Sequence, residues 1–404
     1  MKPARCVIVV ENLPVPLDRH VWQQALSLKD AGWDVSVICP ATPLWPNKRE
    51  QLEGIDIYRH GLPLEGNSVV GHVAEYAMAL FHEFRLLLTI WNAKGFDVVH
   101  VCNPPDLLFL IALPFKLRGV RLVFDHHDLA PELFEAIHGR GLIHKLLLFL
   151  ERMSFRSADV VLSSNRAFKK LALNRGGVCE ARTFVVHTVP EVKHVRRVAP
   201  DRTARAGASV VIGYLGIIGR QDGLDHLLQA ARIALDQHEG PGFRLVIVGD
   251  GPALPEIKVL AQELGLDDAV VFSGYLMGDE LAAQMSDFDI GVIPDPKNSF
   301  NDKLSMNKVF EYSAMGIPIA AYALDGTVEM LGGTAIYAPT EDPEGLAVAM
   351  RALVNDPELR RAKGAAAKRL ADDKFRWEAE AASLLAAYDR LPERHLTSPT
   401  IDQR

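Results

Sequence analysis

No apolar run in this chain approaches the roughly 18 residues needed to cross a bilayer. The longest, residues 107–115, contains Pro114 and reads as core. The first ten residues hold Lys2 and Arg5 but no apolar stretch leading to a small-residue cleavage site, so secretion is not expected. Cysteine is scarce. Cys6, Cys39, Cys102 and Cys179 have no paired spacing, and three of them fall in strand-like runs. That excludes a disulfide scaffold and suits reduced thiols in a cytoplasmic protein. Positive charge is not in excess either: the net charge is −7, which argues against a general nucleic-acid binder. A Walker-type P-loop and a Gly-x-Ser-x-Gly elbow are both missing.

What remains is a chain of 404 residues, 49% apolar and 24% charged, enough for two or three well-filled domains. Charge is divided unevenly, with 24 Lys+Arg against 20 Asp+Glu in residues 1–200 and 20 against 31 in the rest. A mildly basic first half could face an anionic membrane or a phosphorylated partner, and a merely uneven solvated surface fits as well.

Short β-branched runs at 5–10, 34–39, 55–59, 97–101, 121–125, 159–162 and 183–187 alternate with helical periods such as 17–31, 69–92 and 143–157. Residues 190–207 then carry two prolines and four arginines with little apolar periodicity, which reads as a linker. A second series of strands follows at 209–215, 243–248, 269–273, 289–293, 317–322 and 335–337. Continuous apolar strands separated by helices predict parallel sheets covered on both faces. The fold class is therefore α/β, as two doubly wound Rossmann-like domains. The expected division is 1–200, 201–373, a C-terminal helix over 374–390 and a loose tail over 391–404. Ligands of such sheets bind beyond the carboxyl ends of strands.

The most informative segment is 301–318. Ser305 is the expected N-cap, Gly316 the C-cap, and Pro318 bars continuation. A helix start favours acids, yet the first turn here holds Lys308 and no acid. A bound anion would explain that. Lys308 on a phosphate with Glu311 on ribose hydroxyls, one turn along, is a compact nucleotide grip; a plain Lys308–Glu311 surface pair is the bland alternative. Residues 213–223 form a second, glycine-rich segment without the dinucleotide fingerprint. There Arg220 is the better phosphate contact, because Asp222 and Asp225 would repel one. Gly249, Asp250, Gly251 and Pro252 resemble a turn whose backbone meets a ligand. Tyr275 could stack on a base or sit in the core. His126 and His127 should point to opposite sides of their strand and so share no metal. Asp287 and Asp289 mimic a metal-binding Asp-x-Asp but precede their strand, which suits capping. No convincing metal set emerges.

Together these residues resemble the retaining, nucleotide-sugar-dependent glycosyltransferases of family 4, with the GT-B fold of two domains facing a cleft. The stretches 12–19, 102–106 and 124–132 look like a branch associated with bacterial surface polysaccharides. The resemblance implies donor binding by Gly216, Gly219, Arg220, Gln221, Gly251, Tyr275, Ser305, Met306, Asn307, Lys308 and Glu311. It places Asn12, Asp18, Arg19 and Asn103 on the acceptor side, and His127, Asp302 and Lys303 at the reacting centre, with His127 near the donor sugar. It also implies that the C-terminal helix crosses back onto the first domain.

There are departures from the family pattern. The family's two glutamates, eight positions apart, fall on Lys303 and Glu311. Its usual Arg and Lys of the glycine-rich loop fall on Ile217 and Asp222, and its first-loop glycines on Pro14 and Pro16. The expected activity is transfer of a hexose or N-acetylhexosamine from a nucleoside diphosphate, UDP above others, to a glycan or lipid-linked acceptor, with retention and with neither metal nor cofactor. A non-catalytic sugar-nucleotide sensor or partner subunit is the alternative, and a nicotinamide oxidoreductase is disfavoured by the absent fingerprint. Residues 143–156 are apolar at helical spacing with Lys145, Arg152 and Arg156 alongside. Leu146, Leu147, Leu148 and Leu150 are too many for one narrow surface stripe, which favours core packing, with the basic edge able to meet anionic headgroups. The expected place is the cytoplasm, peripheral to the membrane's inner face.

Overall fold

Strand β1 (Arg5–Val10) is buried from Cys6 to its end, as a strand covered on both faces must be. The computed structural model describes residues 3–61, 69–190, 195–237 and 242–391. The chain divides into two units, Met1–Thr188 with Glu378–Arg404, and Val189–Trp377. The division thus falls inside the expected first domain rather than at its end. Residues 191–194 of the expected linker, and the expected tail from 392 onward, lie outside the described residues.

In unit 1, β1 is followed by α1 (Arg19–Asp30), β2 (Asp34–Pro40), β3 (Arg49–Leu52), β4 (Ile55–His60), α2 (Val69–Ala93) and β5 (Val98–Cys102). Then come α3 (Phe109–Lys116), β6 (Arg121–His126), α4 (Ala130–His138), α5 (Leu142–Ser157), β7 (Val160–Ser163), α6 (Arg166–Asn174) and β8 (Thr183–Val185). Among the described residues the sheet order is β3-β4-β2-β1-β5-β6-β7-β8. All neighbours run parallel except the edge strand β3, antiparallel to β4, which the sequence reading did not contain. Its burial alternates between exposed and intermediate, so it carries no continuous apolar run to detect.

Unit 2 holds β9 (Val210–Leu215), α7 (Leu224–Asp236), β10 (Phe243–Val248), α8 (Leu254–Glu263), β11 (Val270–Gly274), α9 (Gly278–Ser286) and β12 (Ile290–Ile293). It continues with α10 (Asn307–Ala314), β13 (Ile319–Ala321), α11 (Asp325–Leu331), β14 (Ile336–Tyr337), α12 (Pro343–Asn355) and α13 (Pro357–Lys374). The order is β11-β10-β9-β12-β13-β14, all parallel. Helix α14 (Trp377–Asp389) belongs to unit 1 after its first residue.

Each sheet reverses its winding once, between β1 and β5 and between β9 and β12. Loops that leave these strands at their carboxyl ends form the switch-point crevice, where open α/β sheets take ligands. That rule selects residues 11–18 and 103–108 in unit 1, with 127–128 beside them at the end of the adjacent β6, and 216–223 and 294–306 in unit 2.

Helix α5 departs from expectation. The stripe it turns inward is His144, Glu151, Ser154 and Phe155, and Glu151 ion-pairs with Arg175 there while Ser154 Oγ donates to Asp106 O at 2.9 Å. Because one stripe is spent on this polar packing, leucines are displaced outward: Leu142 is 85% exposed, Leu146 53% and Phe149 57%. Core packing of the leucine run is therefore wrong for that face.

Candidate functional site

At the unit 2 switch point the β9 loop and the β10 loop lie backbone against backbone. Gly216 N donates to Val248 O at 3.1 Å, Ile218 N to Asp250 O at 3.0 Å, and Ala253 N to Ile218 O at 2.9 Å. A Cβ on Gly249 would stand 1.8 Å from Gly216 O, and one on Gly251 would stand 2.6 Å from Ile218 O. These glycines let one loop approach the other. Within the chain, then, the turn over 249–252, expected to meet a ligand, has its glycines against the 216–218 loop. Gly219 N donates to Asp222 Oδ2 at 2.8 Å, so Asp222 ties its own turn.

The β12 loop is pinned to this pair by Asn301, whose Nδ2 donates to Gln221 O at 2.8 Å and to Pro296 O at 2.9 Å. Beneath it lies a buried charge cluster. Lys308 Nζ is 2.8 Å from Asp295 Oδ2, with side-chain exposures of 8% and 3%, and sits 4.6 Å from the centroid of the Tyr214 ring. Lys308 therefore pairs with Asp295, not in the Lys308–Glu311 surface pair considered above. Burial pushes the Asp222 carboxyl up to about 6 against the pull of Lys308, and Asp295 is raised for the same reason. Tyr312, buried, donates from its hydroxyl to Gly213 O at 3.1 Å. Glu311 is also buried on the same helix. Asn301, Asp295 and Tyr214 escaped the sequence reading. Their signal was position, at or beyond the ends of the two switch-point strands.

Other expectations change. Helix α10 starts at Asn307 with Met306 as its N-cap and no side-chain capping bond. Ser305 is not the cap, and its Oγ is buried without a partner among the described residues. Gly316, just past the helix, has φ +65°, the left-handed stop expected there. Arg220 turns outward and pairs with Glu256 at 2.5 Å, with side-chain exposures of 77% and 58%, so it is not held toward the Lys308 cluster. Lys303 Nζ donates to Ser299 O, and Asp302 Oδ1 accepts from Asp325 N at 2.8 Å at the start of α11. Both are thus engaged in holding the β12 loop. Tyr275 and Asn307 are exposed. Asp287 and Asp289 both bond Arg205, the turn role expected of them.

In unit 1, His127 and His126 point apart as predicted. His126 is fully buried against the Phe155 and Phe168 rings. His127 Nε2 lies 2.7 Å from Asp125 Oδ2, two residues back on the same strand face. Asp125 Oδ2 also accepts from Gln24 Nε2 at 2.7 Å and lies 3.3 Å from His100 Nε2. Burial alone would lower His127, but Asp125 outweighs it and holds the imidazole above its usual value. Burial pushes the neighbouring His20 down to about 3, so it stays neutral beside it. The result is an imidazole biased toward its charged form and backed by a carboxylate, at the carboxyl end of β6. It can stabilise a developing anion or hand over a proton.

The acceptor-side candidates divide. Asn103 is buried; its Oδ1 accepts from His127 N at 2.7 Å and its Nδ2 donates to Asp128 O at 2.9 Å, which makes it a strut for the His127 loop. Asp18 caps α1 by accepting from Val21 N at 3.0 Å. Asn12 and Arg19 are exposed. Spacing suggested no metal set, yet folding gathers His20, Asp125 and His127, and separately Glu11, His60 and Glu83, with one ligand atom from each within 4.8 Å of the others.

Comparison with known proteins gives a consistent family. A family described as "Glycosyl transferase 4-like domain" matches residues 17–188, and one described as "Glycosyl transferases group 1" matches residues 209–356. A 2-deoxystreptamine glucosyltransferase of Streptomyces kanamyceticus is 27% identical over 92% of this chain and 98% of its own. A 2-deoxystreptamine N-acetyl-D-glucosaminyltransferase of Streptomyces fradiae is 27% identical over 84% and 82%. Among solved structures, a sucrose-phosphate synthase from Thermosynechococcus elongatus superposes with a TM-score of 0.78 at 19% identity, covering 96% of this chain and 99% of that one. Anabaena Alr3699/HepE, solved with UDP and glucose, gives 0.72 at 14% identity over 96% and 100%. The last two likenesses bear on the fold, two Rossmann-like domains of the GT-B class.

Proposed function

The chain belongs to the glycosyltransferases built from a family 4-like and a group 1 domain, and on that premise we propose that it moves a hexose or N-acetylhexosamine from a UDP-linked donor, with retention, to a glycan or lipid-linked acceptor of surface polysaccharide. One observation carries the donor half: α10 has no acid in its first turn and no side-chain cap, and holds Lys308 at the β9/β12 switch point. Such a start suits a diphosphate. Glu311 on the same helix would take the ribose. The leaving group is an anion, so catalysis rests on charge stabilisation by Lys308 and the helix amides. Anabaena Alr3699/HepE, a structural neighbour, has been solved with UDP-glucose, which supports the choice of nucleotide.

The test is a panel of nucleotide sugars. Ligand at a hundredfold excess over Kd stabilises by about 2.7 kcal/mol, so a UDP-sugar should raise the unfolding transition clearly above its GDP and TDP analogues. Product NMR should then show the donor's anomeric configuration. An inverted product would end the retaining proposal, and tight donor binding with no turnover would favour the sensor. The two Streptomyces relatives act, by name, on 2-deoxystreptamine, which favours an aminocyclitol as a second acceptor class to include.

The outward face of α5 supports the lipid-linked choice. Leu142, Leu146 and Phe149 on α5, with Ile137 on the neighbouring α4, are exposed, and Lys145, Arg152 and Arg156 are exposed beside them. An apolar face with a basic edge fits an anionic membrane surface. No helix among the described residues is long and apolar enough to cross a membrane, so the contact would be peripheral. Sedimentation with anionic vesicles should remove the protein from solution at low salt and less so at high salt. Leu146→Glu with Phe149→Glu should abolish it. Equal recovery in the supernatant with and without vesicles would remove this reason for a lipid-linked acceptor.

A further inference from the structure

Three side chains with no common spacing in the sequence converge at the carboxyl ends of β1 and β4. Glu11 follows β1, His60 ends β4, and Glu83 comes from α2. His60 Nε2 lies 3.0 Å from Glu11 Oε2 and 4.0 Å from Glu83 Oε1. Four ligands around Zn²⁺ at bond lengths of 2.0–2.2 Å are separated by about 3.3–3.6 Å, a value these two distances bracket.

We infer that Glu11, His60 and Glu83 form a binding site for a divalent cation of borderline softness, Zn²⁺ by its mixed nitrogen and carboxylate donors. Glu83 is fully buried, yet neither of its carboxylate oxygens has a hydrogen-bond partner among the described residues. Glu11 Oε2 and His60 Nε2 are also buried without one. Buried polar atoms are normally satisfied, and one cation would serve all four. The imidazole is already oriented for ligation. Its Nδ1 lies 3.0 Å from Gly61 O, a carbonyl that can only accept, so Nδ1 carries a proton, and in the neutral ring the Nε2 lone pair faces the carboxylates. That arrangement is the usual outer support of a metal-bound histidine. The His82 ring stacks parallel to His60 at 6.3 Å and walls one side.

A proton is the competing occupant. Burial first, and Glu11 second, hold the Glu83 carboxyl well above its usual range, so one proton can sit between the two acids. That proton satisfies one pair of oxygens and leaves Nε2 facing acceptors, whereas a cation satisfies all three residues together. The cluster at Asp125 differs in this respect, since its shared oxygen already accepts from Gln24 Nε2 at 2.7 Å and lies 3.3 Å from His100 Nε2. An ion at Glu11 would fix the first residue of the loop that carries Asn12 and Asp18 and leads into Arg19 at the start of α1.

The experiment titrates untagged, chelator-treated full-length protein with Zn²⁺ by calorimetry and with Co²⁺ by visible absorption, using Mg²⁺ as a hard-ion control. The expected result is one equivalent of Zn²⁺, displaceable Co²⁺ bands and no competition by Mg²⁺. Repeating the Zn²⁺ titration in buffers of different ionisation enthalpy should reveal about one proton released as Glu83 ionises. Glu83→Gln should weaken Zn²⁺ at least tenfold, as should His60→Gln, which serves if the first variant fails to fold by circular dichroism. His127→Ala should bind as the parent does. No uptake by the parent protein, or uptake lost in His127→Ala and kept in Glu83→Gln, overturns the assignment.

Discussion

Lys308→Ala is expected to lower kcat by about 10²–10³-fold, the usual cost of removing one preorganised donor to a developing anion. It should also destabilise unit 2 by about 3–5 kcal/mol, because Asp295 is left buried without its cation. The two effects separate in a double variant. Lys308→Met with Asp295→Asn replaces the buried pair by neutral groups of similar size, and such replacements are often neutral or stabilising. Urea unfolding should therefore return toward the parent value while transfer stays lost. Recovery of transfer in the double variant would reduce Lys308 to a partner of Asp295 and move the diphosphate elsewhere.

Gly249→Ala should be the most damaging single methyl group in unit 2. Gly249 has φ +142°, and the added Cβ would stand 1.8 Å from a backbone oxygen that belongs to the adjoining loop. Backbone strain of about 1–3 kcal/mol and overpacking of about 1–3 kcal/mol together give about 2–6 kcal/mol. Gly265 is the control: its φ is +62° with nothing within 4 Å of the built Cβ, so Gly265→Ala should show only the strain. Hydrogen exchange of the β9 and β10 amides measures both variants, and donor binding should fall only with Gly249→Ala. Equal protection in the two would mean that the contact between the loops does not hold the site.

Element type and order were legible because parallel strands are buried on both faces and so read as unbroken apolar runs. Every strand expected from the sequence is present, within one to two residues at its ends. The exception, β3, is a solvated edge whose residues Arg49, Glu50, Gln51 and Leu52 carry no such run. The acid-free first turn of α10 was visible, but its missing cap was not, since Ser305 was expected to supply one. What Lys308 and Arg220 bond to was not, since Asp295 and Glu256 are brought near only by the turning of loops and helices. Helix α5 misled for a related reason. Its composition says that apolar surface must be covered, but the choice of stripe was made by Glu151 meeting Arg175, which lies on another element. Glu11, His60 and Glu83 were invisible for the same cause, having neither fixed spacing nor a shared element.

The path of the chain also sets an order of manufacture. Tyr388 on α14 is buried in unit 1, its hydroxyl 2.8 Å from His100 Nδ1 and 3.3 Å from Cys6 Sγ, and Glu380 accepts from His187 N at 2.8 Å. Unit 2, by contrast, is one continuous stretch, Val189–Trp377. A ribosome adding about 5–20 residues per second spends about 10–40 s on that stretch after unit 1's first 188 residues have been made. The second domain has its whole stretch in hand at the end of that interval, whereas the first still lacks α14. Cys6, whose thiol burial in the finished protein pushes up to about 12, must wait for Tyr388, 382 residues further along the chain. The domain begun first is thus the one completed last.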